Sequence, residues 1–217
     1  MSAPKIPNFT RVVADSDFDG LCGAAILKKF NPNAEIIFSH AALIRNGAMD
    51  NQIDKNTVIV DLPFHQNCGW YLDHHQTNKP SNEELIEFEQ NGGVIDWQPT
   101  PSAARLAYER IKDHTDLTNF VDLMPFVDAL DSGGITLQEL LDDGDLMCFS
   151  RTLSQVESEY MQLIVDLMAT GSRMKEILQL PEVVTRLKFQ KEKINLFLLS
   201  LGSLDDSKSQ ITEYTAV

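Results

Sequence analysis

Cysteine is scarce in this chain and forms no motif. The three cysteines, Cys22, Cys68 and Cys148, lie far apart, and none belongs to a Cys-x-x-Cys pair. This pattern argues against a structural zinc site and against a disulfide framework. Widely spaced, unpaired thiols are typical of proteins in a reducing compartment, so we expect a cytoplasmic protein.

Positive charge and long apolar runs are also lacking. The 217 residues contain 18 Lys and Arg against 32 Asp and Glu, a formal net charge of -14, which disfavours the binding of long nucleic acid. Metal ions could neutralise part of this charge. No uninterrupted apolar run is long enough to cross a bilayer, and residues 1–7 lack the apolar core of a signal peptide. We therefore expect no membrane partner.

Several well-known catalytic and nucleotide-binding signatures are absent. No Gly-rich loop precedes a Lys-Ser or Lys-Thr pair, which excludes a P-loop, and no Gly-x-Ser-x-Gly elbow is present. Gly20 and Gly23 follow a strand-like run, but they do not complete a dinucleotide-binding pattern, and three aspartates precede them. A pyrophosphate would be repelled at that position unless metal ions intervened.

The chain does contain three apolar, strand-like runs that each end in acid. Residues 11–14 lead into Asp15, Asp17 and Asp19, residues 57–60 lead into Asp61, and residues 70–72 lead into Asp73, His74 and His75. A polar turn is the ordinary explanation for any single run of this kind. Asp is rarely buried without a partner, and His is only intermediate in burial. The repetition of the pattern favours one shared site.

Strand-like and helical segments alternate through the first half of the chain. Strands are predicted at 11–15, 34–38, 57–60, 70–72 and 93–97, with helices at 21–30 and 102–112; the acidic stretch 78–91 reads as a loop with one weak helical turn. This predicts an α/β fold, with a parallel, doubly wound sheet of about five strands and a helical C-terminal extension. The predicted domains are residues 1–135 and residues 136–217, the second being a helical extension or a partial second domain. Ligands of such sheets bind beyond the carboxyl ends of the strands, where the acidic residues fall.

A cluster of ionised carboxylates requires compensating cations. Carboxylates combined with one or two imidazoles suit Mn²⁺, Mg²⁺ or Co²⁺. Asp17 and Asp19 flank one residue, so their side chains can reach two neighbouring ions, and Asp61 at the end of a central strand could bridge both. Two ions about 3.5–4 Å apart are a common device for hydrolysing phosphoesters.

This combination of motifs resembles the DHH phosphoesterase family, which is named for its Asp-His-His motif. Residues 15–20, Asp-Ser-Asp-Phe-Asp-Gly, are similar to the first motif of the family, and Asp61 is similar to the second-motif aspartate. Residues 73–75 resemble the third motif, and Pro-Ser-Ala-Ala at 101–104 resembles the helix start that follows it. The likeness covers roughly residues 9–135. The family includes exonucleases, small-oligonucleotide ribonucleases, cyclic-dinucleotide phosphodiesterases, exopolyphosphatases and inorganic pyrophosphatases.

The resemblance also implies roles for individual residues. The implied metal ligands are Asp17, Asp19, Asp61 and His74. Asp73 would orient an imidazole, and His75 would contact the substrate phosphate, so these two residues are the expected catalytic pair. For the fourth-motif aspartate we choose Asp131, with Asp128 as the alternative.

Two departures from the family pattern have consequences. Many members carry a His four residues before the first metal-binding Asp, and here that position is Val13. Either Asp15 substitutes as a ligand or one metal site is weak, so we expect two ions of unequal affinity. The Gly-rich His motif of the accessory domain is also missing from residues 136–217, so substrate recognition differs or the chain is a short version of the architecture.

The leading hypothesis is a metal-dependent phosphohydrolase that cleaves a phosphoester or phosphoanhydride with metal-activated water. Its expected substrate is a small phosphorylated molecule, polyphosphate or a short oligonucleotide. A homodimer is compatible with the sequence. A family member that has lost catalysis and binds a phosphate ligand or a protein is the alternative. A purely structural acidic protein is the third hypothesis. Binding of two metal ions, one or none distinguishes the three.

Overall fold

The computed structural model describes residues 6–214; in the last helix it describes side chains through residue 197 and at residue 199. Within this range the strands are β1 (Arg11–Asp15), β2 (Glu35–Ser39), β3 (Thr57–Val60), β4 (Trp70–Asp73) and β5 (Val94–Trp97). The helices are α1 (Phe18–Phe30), α2 (Ala41–Arg45), α3 (Asn82–Gln90), α4 (Ala103–Ile111), α5 (Met124–Asp131), α6 (Leu137–Asp142), α7 (Asp145–Ser150), α8 (Ser158–Ala169), α9 (Met174–Ile177) and α10 (Pro181–Tyr214). The predicted α/β class is confirmed.

The five strands form one parallel sheet in the order β2-β1-β3-β4-β5. The chain passes from β1 to β2 on one side, and β3 then returns to pair with the opposite side of β1. The carboxyl ends of β1 and β3 therefore flank the point where the direction of winding changes. In open parallel sheets this crevice is where ligands bind.

Apolar side chains cover both faces of the sheet. On one face, Val13 lies beside Ile37 of β2 and Ile59 of β3, and Tyr71 continues the row on β4. Phe88 of α3 packs against this row. Burying an aliphatic side chain of this size contributes roughly 1.5–3 kcal/mol, so the row is a major source of stability.

The opposite face of the sheet lies against α1 and α4. The approach between α1 and the sheet is close, because a Cβ atom added to Gly23 would stand 2.6 Å from Cγ1 of Val60. Small residues in α1 thus let this helix pack directly above β3. Helices on both faces make the sheet doubly wound, as predicted.

Helix α3 is more regular than the sequence predicts. Ser81 and Glu84 form a capping box: the Glu84 amide donates to Ser81 Oγ at 3.3 Å, and the Ser81 amide donates to Glu84 Oε2 at 2.8 Å. Phe88 is the one fully buried side chain of this helix. The apolar periodicity is therefore weak, and the Ser-x-x-Glu cap was the signal that could have identified the helix.

The chain divides into two compact units. The first contains the residues through Thr136 together with Leu153–Ile177, and the second contains Leu137–Thr152 together with the residues from Leu178 onward. In the first unit α8 packs on α1, with Lys28 Nζ 2.5 Å from Asp166 Oδ1. In the second unit α7 packs on α10. The division at residue 135 into two functional domains stays a prediction.

None of the helices within residues 6–214 combines the length and the apolar character that a membrane span requires.

Candidate metal centre

The three acid-ended strands meet at one edge of the sheet. Asp15 is the last residue of β1, Asp61 directly follows β3, and Asp73 is the last residue of β4. These three strands are neighbours in the sheet, so the chain brings acids together from positions almost sixty residues apart. The site lies at the crevice created by the change in winding direction.

The turn between β1 and α1 presents two aspartates. Asp17 is the N-cap of α1 and accepts a hydrogen bond from the Gly20 amide at 2.9 Å, as short acidic side chains do at helix starts. A Cβ atom on Gly20 would lie 2.3 Å from the Asp15 carbonyl oxygen, so only glycine allows the helix to begin this close to the strand. Asp19, in the first turn, is consequently held inside the fold.

Asp19 is almost fully buried and is fixed by a second helix. The backbone amides of Ala103 and Ala104 donate to Asp19 Oδ2 and Oδ1 at 2.7 and 2.8 Å. These amides form the start of α4, which Ser102 caps, and a helix N-terminus favours a negative charge. Both oxygens are thereby held in place while Oδ2 remains 3.7 Å from His74 Nε2.

Asp61 adopts an unusual backbone conformation. Its φ angle is +58°, in the left-handed region where Asp and Asn are the commonest residues after Gly. Its amide still donates to the Leu72 carbonyl oxygen at 3.0 Å. The turn leaves the carboxylate buried, with Oδ1 3.7 Å from His74 Nε2 and 3.5 Å from His75 Nδ1.

The Asp-His-His segment supplies two imidazoles in different settings. His74 Nδ1 lies 2.9 Å from the Thr100 carbonyl oxygen, which can only accept, so Nδ1 carries a proton and Nε2 faces the carboxylates. His75 Nδ1 lies 3.0 Å from Asp73 Oδ1, and its side chain is 43% exposed. His74 is thus suited to bind metal inside the cluster, and His75 is suited to meet a substrate at its border.

Tyr71 fixes the Asp73 carboxylate by a hydrogen bond. The Tyr71 hydroxyl donates to Asp73 Oδ2 at 2.8 Å, and both residues are fully buried. Burial and the adjacent Asp73 charge raise the pKa of Tyr71, so the hydroxyl keeps its proton. Sequence reasoning did not identify Tyr71, although period-2 alternation along β4 places residues 71 and 73 on the same face.

Asp128 and Asp131 have different surroundings although they lie one helical turn apart on α5. Asp131 Oδ2 is 3.0 Å from His74 Nε2. Asp128 accepts from Ser102 Oγ at 2.7 Å and from Arg105 Nε at 3.0 Å. The structure therefore places Asp131 in the cluster and Asp128 in an ion pair beside it.

The cluster contains more carboxylates than its two imidazoles can neutralise. Burial, and then Asp17, raise the pKa of Asp19 to about 8, and burial followed by the Asp19 charge raises the pKa of Asp61 well above its usual range. Burial alone lowers the pKa of His74, but the Asp131 carboxylate 3.0 Å away and the Asp19 charge outweigh it and raise that pKa to about 9. Carboxylates in this arrangement are stabilised as anions only by additional positive charge.

The donor atoms fit a metal ion. Two groups of residues share His74, and in each group the potential ligand atoms lie within 4.8 Å of one another. One group contains Asp61, Asp73, His74 and His75, and the other contains Asp19, His74 and Asp131. Three buried atoms of these groups, Asp61 Oδ1, His74 Nε2 and Asp131 Oδ2, lack a hydrogen bond of good geometry. Buried polar atoms are normally satisfied, so this set of oxygens and nitrogen is ready for a divalent cation.

Three of the candidate ligands, Asp15, Asp17 and Asp128, lie outside these groups. Asp15 accepts from the Ser16 amide at 2.6 Å; burial and the Asp17 charge raise its pKa to about 6. Asp17 lies at the border of the cluster. Burial raises its pKa, the hydrogen bond from the Gly20 amide lowers it, and the charge of Asp131 raises it further. Val13 is fully buried in the apolar row beneath the site, so it provides no ligand.

The chain is similar to a bacterial phosphodiesterase. PggH from Vibrio cholerae, a pGpG-specific phosphodiesterase, matches with a TM-score of 0.67 and 30% sequence identity, over 86% of this chain and 61% of PggH. The present chain thus spans less than two thirds of the length of PggH. An uncharacterized protein from Helicobacter pylori G27 matches with a TM-score of 0.47 and 17% identity, over 85% of this chain and 61% of that one, a likeness too distant for inference. No protein-family model and no curated protein matches the chain.

Proposed function

We propose that this chain is a metal-dependent phosphodiesterase of the DHH type, which hydrolyses a short oligonucleotide. One observation supports this most directly. His74 Nε2 is buried, has no hydrogen bond of good geometry and lies 3.0–3.7 Å from the carboxylates of Asp19, Asp61 and Asp131. An imidazole with three carboxylates is a ligand set for Mn²⁺ or a similar ion, not a stabilising feature of a core.

The residues around the cluster have separable roles. Asp19, Asp61, His74 and Asp131 would hold metal, and Asp17 would complete the set from its border position. Such ions, when bound, would lower the pKa of a coordinated water and withdraw charge from the phosphoryl oxygens. Asp73, held by Tyr71, orients His75 so that its exposed ring edge meets the substrate phosphate and can exchange a proton with it.

The net charge of the chain and its structural similarity to PggH both bear on the proposed substrate class. The net charge of -14 opposes a long nucleic acid, whereas a short one requires few contacts beyond the metal site. PggH is pGpG-specific, which makes a linear dinucleotide the first substrate to test. Because Val13 replaces an imidazole, we propose two Mn²⁺ ions of unequal affinity.

A non-catalytic phosphate-ligand binder is the second candidate, and Val13 is the observation that favours it. The position is fully buried and apolar, so the second ion would lack one protein ligand. A protein that retains one tight ion and binds pGpG without cleaving it would fit this alternative.

The two candidates separate in one experiment. The protein is stripped with a chelator, Mn²⁺ is added back, and pGpG, a cyclic dinucleotide, pyrophosphate, polyphosphate and a chromogenic phosphodiester are each tested for hydrolysis. We expect Mn²⁺-dependent cleavage of pGpG to mononucleotides, lost in His75→Ala. Saturable binding of pGpG with no product at any Mn²⁺ concentration would support the binding module, and the absence of both Mn²⁺ binding and cleavage would contradict both.

A further inference from the structure

The N-terminal turn of α4 contacts two separate parts of the candidate metal centre. Its first two amides, from Ala103 and Ala104, hold Asp19. Its cap, Ser102, is fully buried and donates from Oγ to Asp128 Oδ1 at 2.7 Å while accepting from the Arg105 amide at 3.0 Å. One short segment thus links a ligand on α1 with the helix that carries Asp131.

Arg105 reinforces the contact with α5. Its guanidinium approaches Asp128 Oδ2 with Nε at 3.0 Å and Nη2 at 2.5 Å. Two donors on one oxygen, together with Ser102 on the other, leave Asp128 little freedom to rotate. Both Arg105 and Asp128 are partly buried, so water screens this ion pair less than an exposed one.

Asp128 and Asp131 lie three positions apart on one helix. Residues at this spacing share a helical face, and α5 ends at Asp131. Asp131 therefore has no following helical turn to hold it in place. Asp128 ties this last turn to the start of α4 through Ser102 and Arg105.

We propose that Arg105, with Ser102, is a positioning residue that acts through Asp128 to hold Asp131 against the metal site. This inference rests on the proposed metal centre. Arg105 does not touch the metal in this account. It fixes the last turn of α5, so that the Asp131 carboxylate stays 3.0 Å from His74 Nε2 and pairs with the same ion.

A purely stabilising ion pair is the competing interpretation, and a metal titration distinguishes them. Mn²⁺ affinity is measured from the electron paramagnetic resonance signal of free Mn²⁺ for the wild type, Arg105→Gln and Asp128→Asn. We expect each variant to lose roughly 10- to 100-fold in affinity, the usual effect of removing a partner that orients a ligand. Arg105→Lys, which keeps the charge without the fork, should recover part of the loss.

The matched control is Lys112, the C-cap of α4. Lys112 pairs with Glu109, with Nζ 2.5 Å from Oε2, and both side chains are exposed. Lys112→Gln removes an ion pair of α4 without touching α5, so its Mn²⁺ affinity should equal that of the wild type. An equal loss in Lys112→Gln would mean that any disturbance of α4 weakens the site, and would overturn the specific role of Arg105.

A double-mutant cycle tests whether Arg105 acts through Asp131. In an Asp131→Asn background, Arg105→Gln should cause no further loss of Mn²⁺ affinity, because the ligand that it positions is already gone. Additive losses would overturn the proposal, and so would wild-type affinity in both Arg105→Gln and Asp128→Asn. If the wild type binds no Mn²⁺, the proposed metal centre itself fails, which is a different result. Asp128→Asn is nearly isosteric and supplies the test if Arg105→Gln does not fold.

Discussion

The two ends of the central strands differ in how their carboxylates are paired. At the amino end, β1 begins with Arg11, whose Nε lies 2.8 Å from Glu35 Oε2 at the start of β2. At the carboxyl end, β1 leads into Asp15, Asp17 and Asp19, which meet Asp61 from β3. Among the residues whose side chains the structure describes, no Lys or Arg forms an ion pair with these four aspartates. Acid meets base at one edge of the sheet, whereas at the other edge the carboxylates outnumber the two imidazoles, so the second edge is suited to a cation from outside the chain.

The strongest test of this contrast replaces the central carboxylate. We expect Asp61→Asn to lose at least about 100-fold in Mn²⁺ affinity and to abolish hydrolysis, since removing a ligand should cost no less than removing a residue that orients one. Asn tolerates the left-handed backbone at φ +58°, so the variant should fold. Circular dichroism checks the fold and a Mn²⁺ titration checks the site. Wild-type affinity would show that Asp61 is not a ligand.

A second test concerns the missing imidazole. Val13 faces the apolar row, beside Ile37 and Ile59, two residues before the acidic end of β1. We expect the wild type to bind one Mn²⁺ tightly and a second weakly. Val13→His should strengthen the weaker site by about tenfold, the lower end of the effect of one residue on metal affinity. It should also lower the melting temperature, because an imidazole replaces a buried methyl surface. Two equally tight ions in the wild type would contradict this account.

The pH dependence of stability gives a third test. The folded-state pKa of Asp19 is raised to about 8 and that of His74 to about 9. Both shifts make the folded state bind more protons than the unfolded chain, so both predict that stability falls as pH rises. In the presence of a chelator, the melting temperature should decrease most between pH 6.5 and 8, where the two groups act together.

Mn²⁺ should reverse this trend, because metal binding requires deprotonated carboxylates and a neutral imidazole at Nε2. The Mn²⁺-induced rise in melting temperature should therefore grow from pH 6.5 to pH 8. A metal-free protein whose melting temperature is constant or increases over this interval would show that the acid cluster is not buried as described.

The smallest effect is expected at the amino end of the sheet. Arg11 and Glu35 are solvent-accessible, with 27% and 58% of their side chains exposed. An ion pair of this kind contributes about 0.2–1 kcal/mol. Arg11→Gln should therefore change the free energy of unfolding by no more than that and leave Mn²⁺ affinity unaltered. Urea unfolding and a Mn²⁺ titration measure both quantities, and a change in affinity would show that the two edges are coupled.

The sequence predicted the parallel sheet and the meeting of acids because both depend on local patterns. Strand periodicity identified β1, β3 and β4, and the common direction of parallel strands placed Asp15, Asp61 and Asp73 at one edge. The order of the strands was not needed for this conclusion. The resemblance to a known motif set added the proposed roles, which stay proposals until metal binding is measured.

Other parts of the site depend on contacts that no local pattern encodes. The Ala104 amide reaches Asp19 across 85 positions of the sequence, and Arg105 reaches Asp128 across 23. The positive φ angle of Asp61 arises where β3 ends between two other strand termini. The return of Leu153–Ile177 to the first unit likewise depends on packing against α1, which helical periodicity alone does not specify.

The central claim is that Asp61 and His74 share a metal ion. Anomalous diffraction at the manganese edge, from crystals soaked in Mn²⁺, tests it most directly. The account predicts a peak within roughly 2.0–2.3 Å of both Asp61 Oδ1 and His74 Nε2, the usual range for oxygen and nitrogen ligands. Saturating Mn²⁺ that produces no peak between these two atoms would contradict it.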